Sequence, residues 1–575
     1  MSSRRRFLRS VPVALGAVVT APALAQTPSR ISKDVLECGE VLTGVDFEPA
    51  ESELVLNLVN TNREHYEAIR RVPLPSSVEP AYSFRPPRPK TRALPTEARR
   101  AKAGRAAPNA NVNQAKIAGA RAAPQIEQLA FEPAARLGQL IAARAITSTD
   151  LTRMYLDRLK RFDERLKCVI TLTEPLAIEQ AAQADADLRA GRSRGPLHGV
   201  PYGIKDLFAT KGIPTTWGAK PYEDQVFDYD ACTVERLRDA GAVLLAKLTT
   251  GELAVGDLWF GGRTRNPWNP ETGSSGSSAG PAAAVAAGLV GFSVGTETGG
   301  SIVSPASTCG VVGCRPTYGR ISRHGVMTLR WTLDKVGPMA RTVHDCALVL
   351  NAMYGPDGRD ETVVDLPFVW TPSQGLEGVR LGYVRSEFES APETATADER
   401  TRWQARRAVL ESTLDVFRAA GATLTPISLP ELPAQSLYSI LNAEAGAMFD
   451  DLVRSGRVRE LAGKAANHRA NQLRAARYIP AVEYIRAQRV RTLLLQQVNA
   501  LFTQVDAFLA PPSSASVTMT NLTGHPAVVL KSGFVEGMPE AVMVTGRLFD
   551  ETTVLRVAHA YERRTSWHDK HPILT

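Results

Sequence analysis

Residues 272–302 restrict what this chain can fold into more than any other stretch. Two loops rich in Gly, Ser and Thr, at 272–281 and 295–302, enclose Ala282-Ala283-Ala284-Val285-Ala286-Ala287-Gly288 and the mostly apolar Leu289–Val294. A helix that is apolar on every side is buried rather than surface-bound. The loops at its ends are thereby drawn into the interior, around a site. Elsewhere, short apolar runs alternate with helical periodicity. Strands are expected at Val200–Ile204, Ala242–Lys247, Leu381–Val384 and Ala507–Ala510. Helices are expected at Ile178–Ala190, Thr233–Ala240 and Ala282–Leu289. A helical period also runs from Phe131 to Arg161, with Thr147-Ser148-Thr149-Asp150 as an N-cap cluster. This alternation predicts an α/β fold, a mixed, twisted β-sheet core covered on both sides by α-helices.

Three kinds of chemistry compete for Thr272-Gly273-Ser274-Ser275-Gly276-Ser277-Ser278-Ala279-Gly280-Pro281. A phosphate loop needs Lys and then Ser or Thr after its last glycine, and Pro281 stands there instead. Gly276-Ser277-Ser278-Ala279-Gly280 satisfies the G-x-S-x-G of a nucleophile elbow, which needs a strand running straight into it. Asn266-Pro267-Trp268-Asn269-Pro270 precedes it, and its prolines remove the ladder donors of a central strand. An α/β-hydrolase-type esterase using Ser278 stays open as the rival within the hydrolases. The third reading joins both loops to a lysine. Ser301 lies 24 residues beyond Ser277, and Gly199-Val200-Pro201-Tyr202-Gly203-Ile204-Lys205-Asp206 puts Lys205 at the end of an apolar strand.

Together with Pro196-Leu197-His198-Gly199-Val200-Pro201, Gly310-Val311-Val312-Gly313, Arg315-Pro316-Thr317-Tyr318-Gly319-Arg320 and Asn521-Leu522-Thr523-Gly524-His525-Pro526, this pattern resembles the amidase signature family over roughly residues 126–575. The resemblance implies the amidase-signature fold and a Ser–Ser–Lys triad, with Ser301 as nucleophile, Ser277 as bridging serine and Lys205 as base. It implies a cis peptide bond at Gly276–Ser277. The oxyanion hole is expected from the backbone N–H groups of Thr298, Gly299, Gly300 and Ser301. The implied reaction is hydrolysis of a linear carboxylic amide to the acid and ammonia or an amine, without metal or cofactor. A small-molecule amide is the expected partner. A non-catalytic envelope binding protein that keeps the fold is the rival from outside the enzymes.

The residue types suit that chemistry. A serine hydroxyl is a weak nucleophile without a base. Lys205 can serve as base only when neutral, and burial disfavours the ammonium form. A developing oxyanion needs converging donors, and glycine lets the backbone come close. His324, His344 and His525 are expected to be hydrogen-bonded structural histidines. Pro281 is expected to open the following helix, where its missing N–H is harmless. The sequence departs from the family pattern at Ser275, Ala279 and Pro281, and has Glu297 for the commoner Asp. Val303 stands where many members carry an Arg that in some engages a substrate carboxylate. Valine cannot form that ion pair, so a small carboxylate-bearing substrate is not expected to be held in the same way.

Residues 1–25 read as a twin-arginine signal peptide. Ser3-Arg4-Arg5-Arg6-Phe7-Leu8-Arg9 carries the pattern, Val11–Ala25 is mostly apolar, and Ala23-Leu24-Ala25 offers the cleavage site before Gln26. An exported, periplasmic protein is expected, with no integral membrane span after signal removal. Residues 26–84 form an N-terminal extension with a helix over Ser52–Ile69, residues 85–125 a basic Pro/Ala/Arg-rich linker that is flexible by composition, and residues 126–575 the amidase domain. The formal charge of +9 comes from that linker, where ten Lys or Arg face Glu97 alone, and from Arg4, Arg5, Arg6 and Arg9. The rest is slightly acidic, which argues against a nucleic-acid partner. The six cysteines form no CxxC pair and have no zinc spacing. Most are expected to be small buried hydrophobes.

Overall fold

The computed structural model describes residues 30–81, 125–372, 375–389, 396–465, 467–512 and 515–574. In chain order the strands are β1 (Val169–Leu172), β2 (Pro201–Lys205), β3 (Val243–Leu248), β4 (Leu258–Trp259), β5 (Gly262–Arg263), β6 (Arg265–Asn266), β7 (Asn269–Gly273), β8 (Phe292–Glu297), β9 (Val312–Arg315), β10 (Lys335–Ala340), β11 (Leu381–Val384), β12 (Leu424–Ile427), β13 (Ala507–Ala510), β14 (Ala527–Val535) and β15 (Met538–Gly546). β4–β5 and β6–β7 are separate two-stranded ribbons. The other eleven form one mixed sheet in the order β1-β3-β2-β8-β10-β9-β14-β15-β13-β11-β12. β3, β2 and β8 run parallel, as do β13, β11 and β12, and the strands between the two groups are antiparallel. β2 therefore has both edges paired, and all five of its residues are buried. Strands covered on both faces read as continuous apolar runs, which is why β2, β3, β11 and β13 fall within a residue of their sequence-based positions.

The helix Ala279–Ala286 is buried along its whole length and packs on β8, β2, β3 and β10. It begins three residues before the predicted start. Pro281 is thus its third residue rather than its first, still within the turn whose N–H groups lack intrahelical acceptors. It ends before the predicted Leu289 because Gly288 turns the chain at φ +64°. The helical period over Phe131–Arg161 divides into Ala134–Ala142 and Ser148–Leu166, broken where Arg144 adopts φ +58°. Thr147 caps the second helix by accepting from the Asp150 N–H at 3.0 Å.

Before the sheet, α1 (Lys33–Thr43) and α2 (Pro49–Arg70) form a helical pair. α2 starts three residues ahead of the predicted Ser52, with Pro49 at its first turn and a reciprocal Glu48–Glu51 capping box. It lies on the helices Ala434–Ile440 and Arg469–Ala476. His65 Nδ1 and Ser436 Oγ are 3.0 Å apart, and the Glu51 carboxylate pairs with Arg459 and Arg474. The expected signal peptide and most of the expected linker lie outside the described residues. Among the described residues, no helix is long and apolar enough to cross a membrane. Five of the six cysteines are buried, Cys38 is exposed, and none is paired.

Candidate active site

β2 ends on Lys205, which is fully buried. Its Nζ donates to Ser277 Oγ at 2.8 Å and to Thr296 Oγ1 at 2.9 Å. Burial drives the ammonium form well below the usual lysine range, against the opposing pull of Asp334 and Glu297. The next residue, Asp206, is equally buried and pairs with Lys247 of β3 at 2.9 Å. Asp206 Oδ2 also accepts from the Thr216 N–H and hydroxyl at 2.7 and 2.6 Å. The strand end is thereby anchored, and Lys205 reaches the serine loop from a fixed point.

The peptide bond Gly276–Ser277 is cis. A Cβ on Gly276 would lie 1.8 Å from the Gly256 carbonyl oxygen, so only glycine fits there. Ser275 adopts φ +61°. That is the left-handed region in which a non-glycine residue costs roughly 1–2 kcal/mol. Ser278 is turned away from Lys205. Its Oγ donates to the Thr296 carbonyl at 3.1 Å and accepts from the Thr296 N–H at 3.2 Å. The strand before it, β7, pairs only with β6. Among the described residues, no strand of the main sheet runs into this serine loop, so the nucleophile-elbow geometry that Ser278 would need is missing.

Ser301 lies at the end of the loop after β8, directly before the helix Val303–Cys309. It is partly exposed, and its carbonyl accepts from the Ser278 N–H at 3.1 Å, which ties the two loops together. Gly300 takes φ +130° to make the turn. Among the described residues, nothing accepts a hydrogen bond from the N–H groups of Thr298, Gly299, Gly300 or Ser301. Four neighbouring donors are free to meet a ligand oxygen, as an oxyanion hole requires. No hydrogen bond joins the Ser277 and Ser301 hydroxyls among the described residues. Such catalytic bonds are often longer before substrate binds and tighten in the complex.

Glu297 fixes this loop from beneath. Its Oε2 accepts from the N–H groups of Ile302 and Val303 at 2.7 and 2.8 Å, and its Oε1 from Arg315 Nη1 and Asn521 Nδ2, both at 2.8 Å. Burial alone would raise its pKa, but Arg315 and the Val303 N–H outweigh burial and hold the carboxyl below its ordinary value. Glu297→Gln presents an NH2 to one of these donor pairs and leaves the Arg315 charge buried without a counter-ion. The expected loss is about 3–5 kcal/mol of unfolding free energy in denaturant titration. A loss below about 1 kcal/mol would show that the carboxylate does not hold the loop.

Asp334 supports the other side. Its Oδ1 accepts from Thr298 Oγ1 at 2.6 Å, and its Oδ2 from the N–H groups of Leu329 and Arg330 at 2.7 and 2.9 Å. Thr296, Thr298, Asp334 and Lys335 share a cavity of about 10 Å³, space for one water. Burial and Arg315 push Lys335 down to about 7. Tyr438 closes over the loop, since a Cβ on Gly299 would lie 2.4 Å from its ring and hydroxyl. Of the histidines, His525 is buried between Thr523 Oγ1 and Asn499 Oδ1 and pushed down to about 3. His344 accepts from Trp370 Nε1 at 2.9 Å. Neither contacts the serines. Sequence reasoning brought together Lys205, Ser277 and residues 298–301. It missed Thr296, although that residue stands beside Glu297 in the 295–302 loop, and it missed Asp334 and Tyr438. Among the described residues, no cluster of three or more His, Cys, Asp or Glu side chains could hold a metal.

The family model described as Amidase matches residues 150–519. A glutamyl-tRNA(Gln) amidotransferase subunit from Chloroflexus aurantiacus is 37% identical over 483 residues, 76% of this chain and 96% of that protein. Its counterpart from Methylococcus capsulatus is 36% identical over 487 residues, 76% of this chain and 98% of that protein. Among solved structures, the native peptide amidase from Stenotrophomonas maltophilia superposes with TM-score 0.67 at 30% identity, covering 76% of this chain and 98% of that one. An amidase family protein from Bacillus anthracis gives TM-score 0.69 at 27% identity, covering 80% and 96%.

Proposed function

The chain belongs to the amidase family, and from that premise we propose that it hydrolyses a carboxylic amide to the acid and ammonia or an amine through an acyl-enzyme on Ser301. One arrangement carries this reading: a fully buried Lys205 donating to Ser277 at 2.8 Å, beside free N–H groups at 298–301. Neutral Lys205 takes the Ser277 proton as Ser277 takes that of Ser301. Ser301 Oγ adds to the amide carbon, and the carbonyl oxygen gathers its negative charge among the four N–H groups. The relay then returns the proton to the leaving nitrogen as the C–N bond breaks, leaving an ester on Ser301. Water gives a proton to the relay and attacks that ester. The second intermediate collapses, Ser301 regains its proton, and the acid leaves.

The curated relatives bear an amidotransferase name; for this chain the proposed acceptor of the acyl group is water. Export by the twin-arginine route to the periplasm is part of the same proposal, supported by Ser3–Arg9, the apolar run Val11–Ala25 and Ala23-Leu24-Ala25. One experiment reads both. The producing cells' envelope fraction is treated with a fluorophosphonate probe, and the protein is mapped by peptide mass spectrometry. The expected result is an adduct on Ser301 and an N-terminus at Gln26. An adduct on Ser278, or none, overturns the nucleophile; a protein retaining residues 1–25 overturns the cleaved signal.

A further inference from the structure

Two buried guanidinium groups beside the site have no carboxylate partner among the described residues. Arg330 and Arg469 are each 4% exposed. Arg330 Nη1 donates to the Tyr438 carbonyl at 2.8 Å and Nη2 to Asn442 Oδ1 at 3.1 Å, while its Nε has no acceptor. Arg469 Nη1 donates to Gln472 Oε1 at 2.9 Å and Nη2 to the Ala254 carbonyl at 3.3 Å, and its Nε is likewise without an acceptor. Every one of these acceptors is neutral. Two other buried arginines are treated differently: Arg315 pairs with Glu297 at 2.8 Å and Arg320 with Glu551 at 2.7 Å. Asp334 is the carboxylate whose charge favours the Arg469 cation, but it forms no ion pair with either guanidinium, and both its oxygens are engaged by Thr298, Leu329 and Arg330 N–H or O–H donors. A buried charge without a counter-ion is strongly unfavourable.

Their position gives the missing anion an address. The Arg330 guanidinium lies over the Tyr438 ring, 4.1 Å from its centroid, and an edge of that ring packs on Gly299 of the oxyanion loop. Ala254, which accepts from Arg469, lines the small cavity shared with Thr296 and Thr298. Burial, and then repulsion from Arg330, pushes Arg469 down to about 10, so the two cations feel each other. Val303 supplies no charge on the helix that follows Ser301.

We propose that Arg330 and Arg469 receive a carboxylate of the substrate, so that the preferred substrates are amides bearing a carboxylate a few bonds from the scissile carbonyl. The inference rests on the amidase reading and names the substrate class of that site. A guanidinium presents parallel N–H donors that match the two oxygens of a carboxylate, and each arginine has donors left for it. Tyr438 sets the spacing between the bound carboxylate and the oxyanion loop.

The test compares succinamic, glutaramic and adipamic acids with neutral isosteres in which an isopropyl group replaces the carboxyl, such as 5-methylhexanamide for glutaramic acid. For the best chain length, kcat/KM of the acid is expected to exceed that of its isostere about 100-fold, mainly through KM. Arg330→Met and Arg469→Met are each expected to lower that ratio at least about 10-fold, and Arg330→Lys, which keeps the charge but not the fork, by less. A wild-type ratio of one or below at all three lengths overturns the proposal and leaves amide hydrolysis standing. If no amide of either kind is turned over, the amidase reading fails. The carboxylate site is then read by titrating glutarate into Ser301→Ala: saturable binding that Arg330→Met weakens about 10-fold or more upholds it, and no binding overturns it.

Discussion

Ser301→Ala is expected to lower kcat/KM for any amide by at least about 10⁴-fold while leaving the fold intact. The size follows from the role. The acyl group has no other hydroxyl to join, because Ser277 is engaged by Lys205 at 2.8 Å and Ser278 by Thr296 at 3.1 Å. The intact fold follows from the surroundings. Ser301 is partly exposed, and its structural bond runs through its carbonyl to the Ser278 N–H, which alanine keeps. Unfolding free energy should change by no more than about 0.5 kcal/mol. Steady-state kinetics and a denaturant curve on one preparation separate the two effects. Retention of more than a tenth of wild-type turnover would remove Ser301 from the mechanism.

Lys205→Met should cost on the order of 10⁴-fold in kcat/KM, with the opposite sign on stability. Lysine at this position is buried, and that burial lowers its pKa and so favours the neutral amine. Methionine fills much of the same volume without a polar head, although Ser277 and Thr296 each lose a donor. A thermal midpoint equal to or above wild type, joined to lost activity, marks a group kept for chemistry. The pH profile adds a sign. The Lys205 pKa is lowered, so its neutral form gains with rising pH from below the usual lysine range of about 10.4. Wild-type kcat/KM should therefore climb through that lowered pKa, and the residual activity of the methionine variant should lose this limb. Lys205→Arg, permanently charged, should be as inactive as the methionine variant. An arginine variant near wild-type rate would show that the position needs a cation rather than a base.

What the sequence made legible follows physical range. β11 and β13 are short apolar runs whose local pattern suffices, and both appear at the predicted residues. The buried helix was legible because no surface tolerates Ala282–Ala287. The β14–β15 hairpin was not. Its turn is Glu536-Gly537, both at positive φ, where Asn-Gly or Asp-Gly would have announced it. The cis loop and the lysine were legible through a resemblance that spans several ordered segments. Thr296, Asp334, Tyr438 and Arg330 were not, because each acts through a partner set by packing. Arg330 and Tyr438 are separated by 108 residues in sequence and meet as a stacked pair. The single departure that looked decisive, Val303, speaks only for the helix it sits on.

The sheet order has an evolutionary consequence. Lys205, Ser277, Thr296 and Ser301 come from one continuous stretch of chain around β2 and β8, whereas Tyr438 and Arg469 come from the segment between β12 and β13. On the proposed roles, the relay and two of the three selectivity residues are thus inherited on different lengths of the gene, while Arg330, between β9 and β10, stays closer to the relay. Drift between β12 and β13 can alter which amide is accepted without touching the relay. α2 grips that same segment through His65, Glu51 and Arg70. Substitutions in the N-terminal helices should therefore track changes in the pocket wall across descendants, and remain indifferent to the serines.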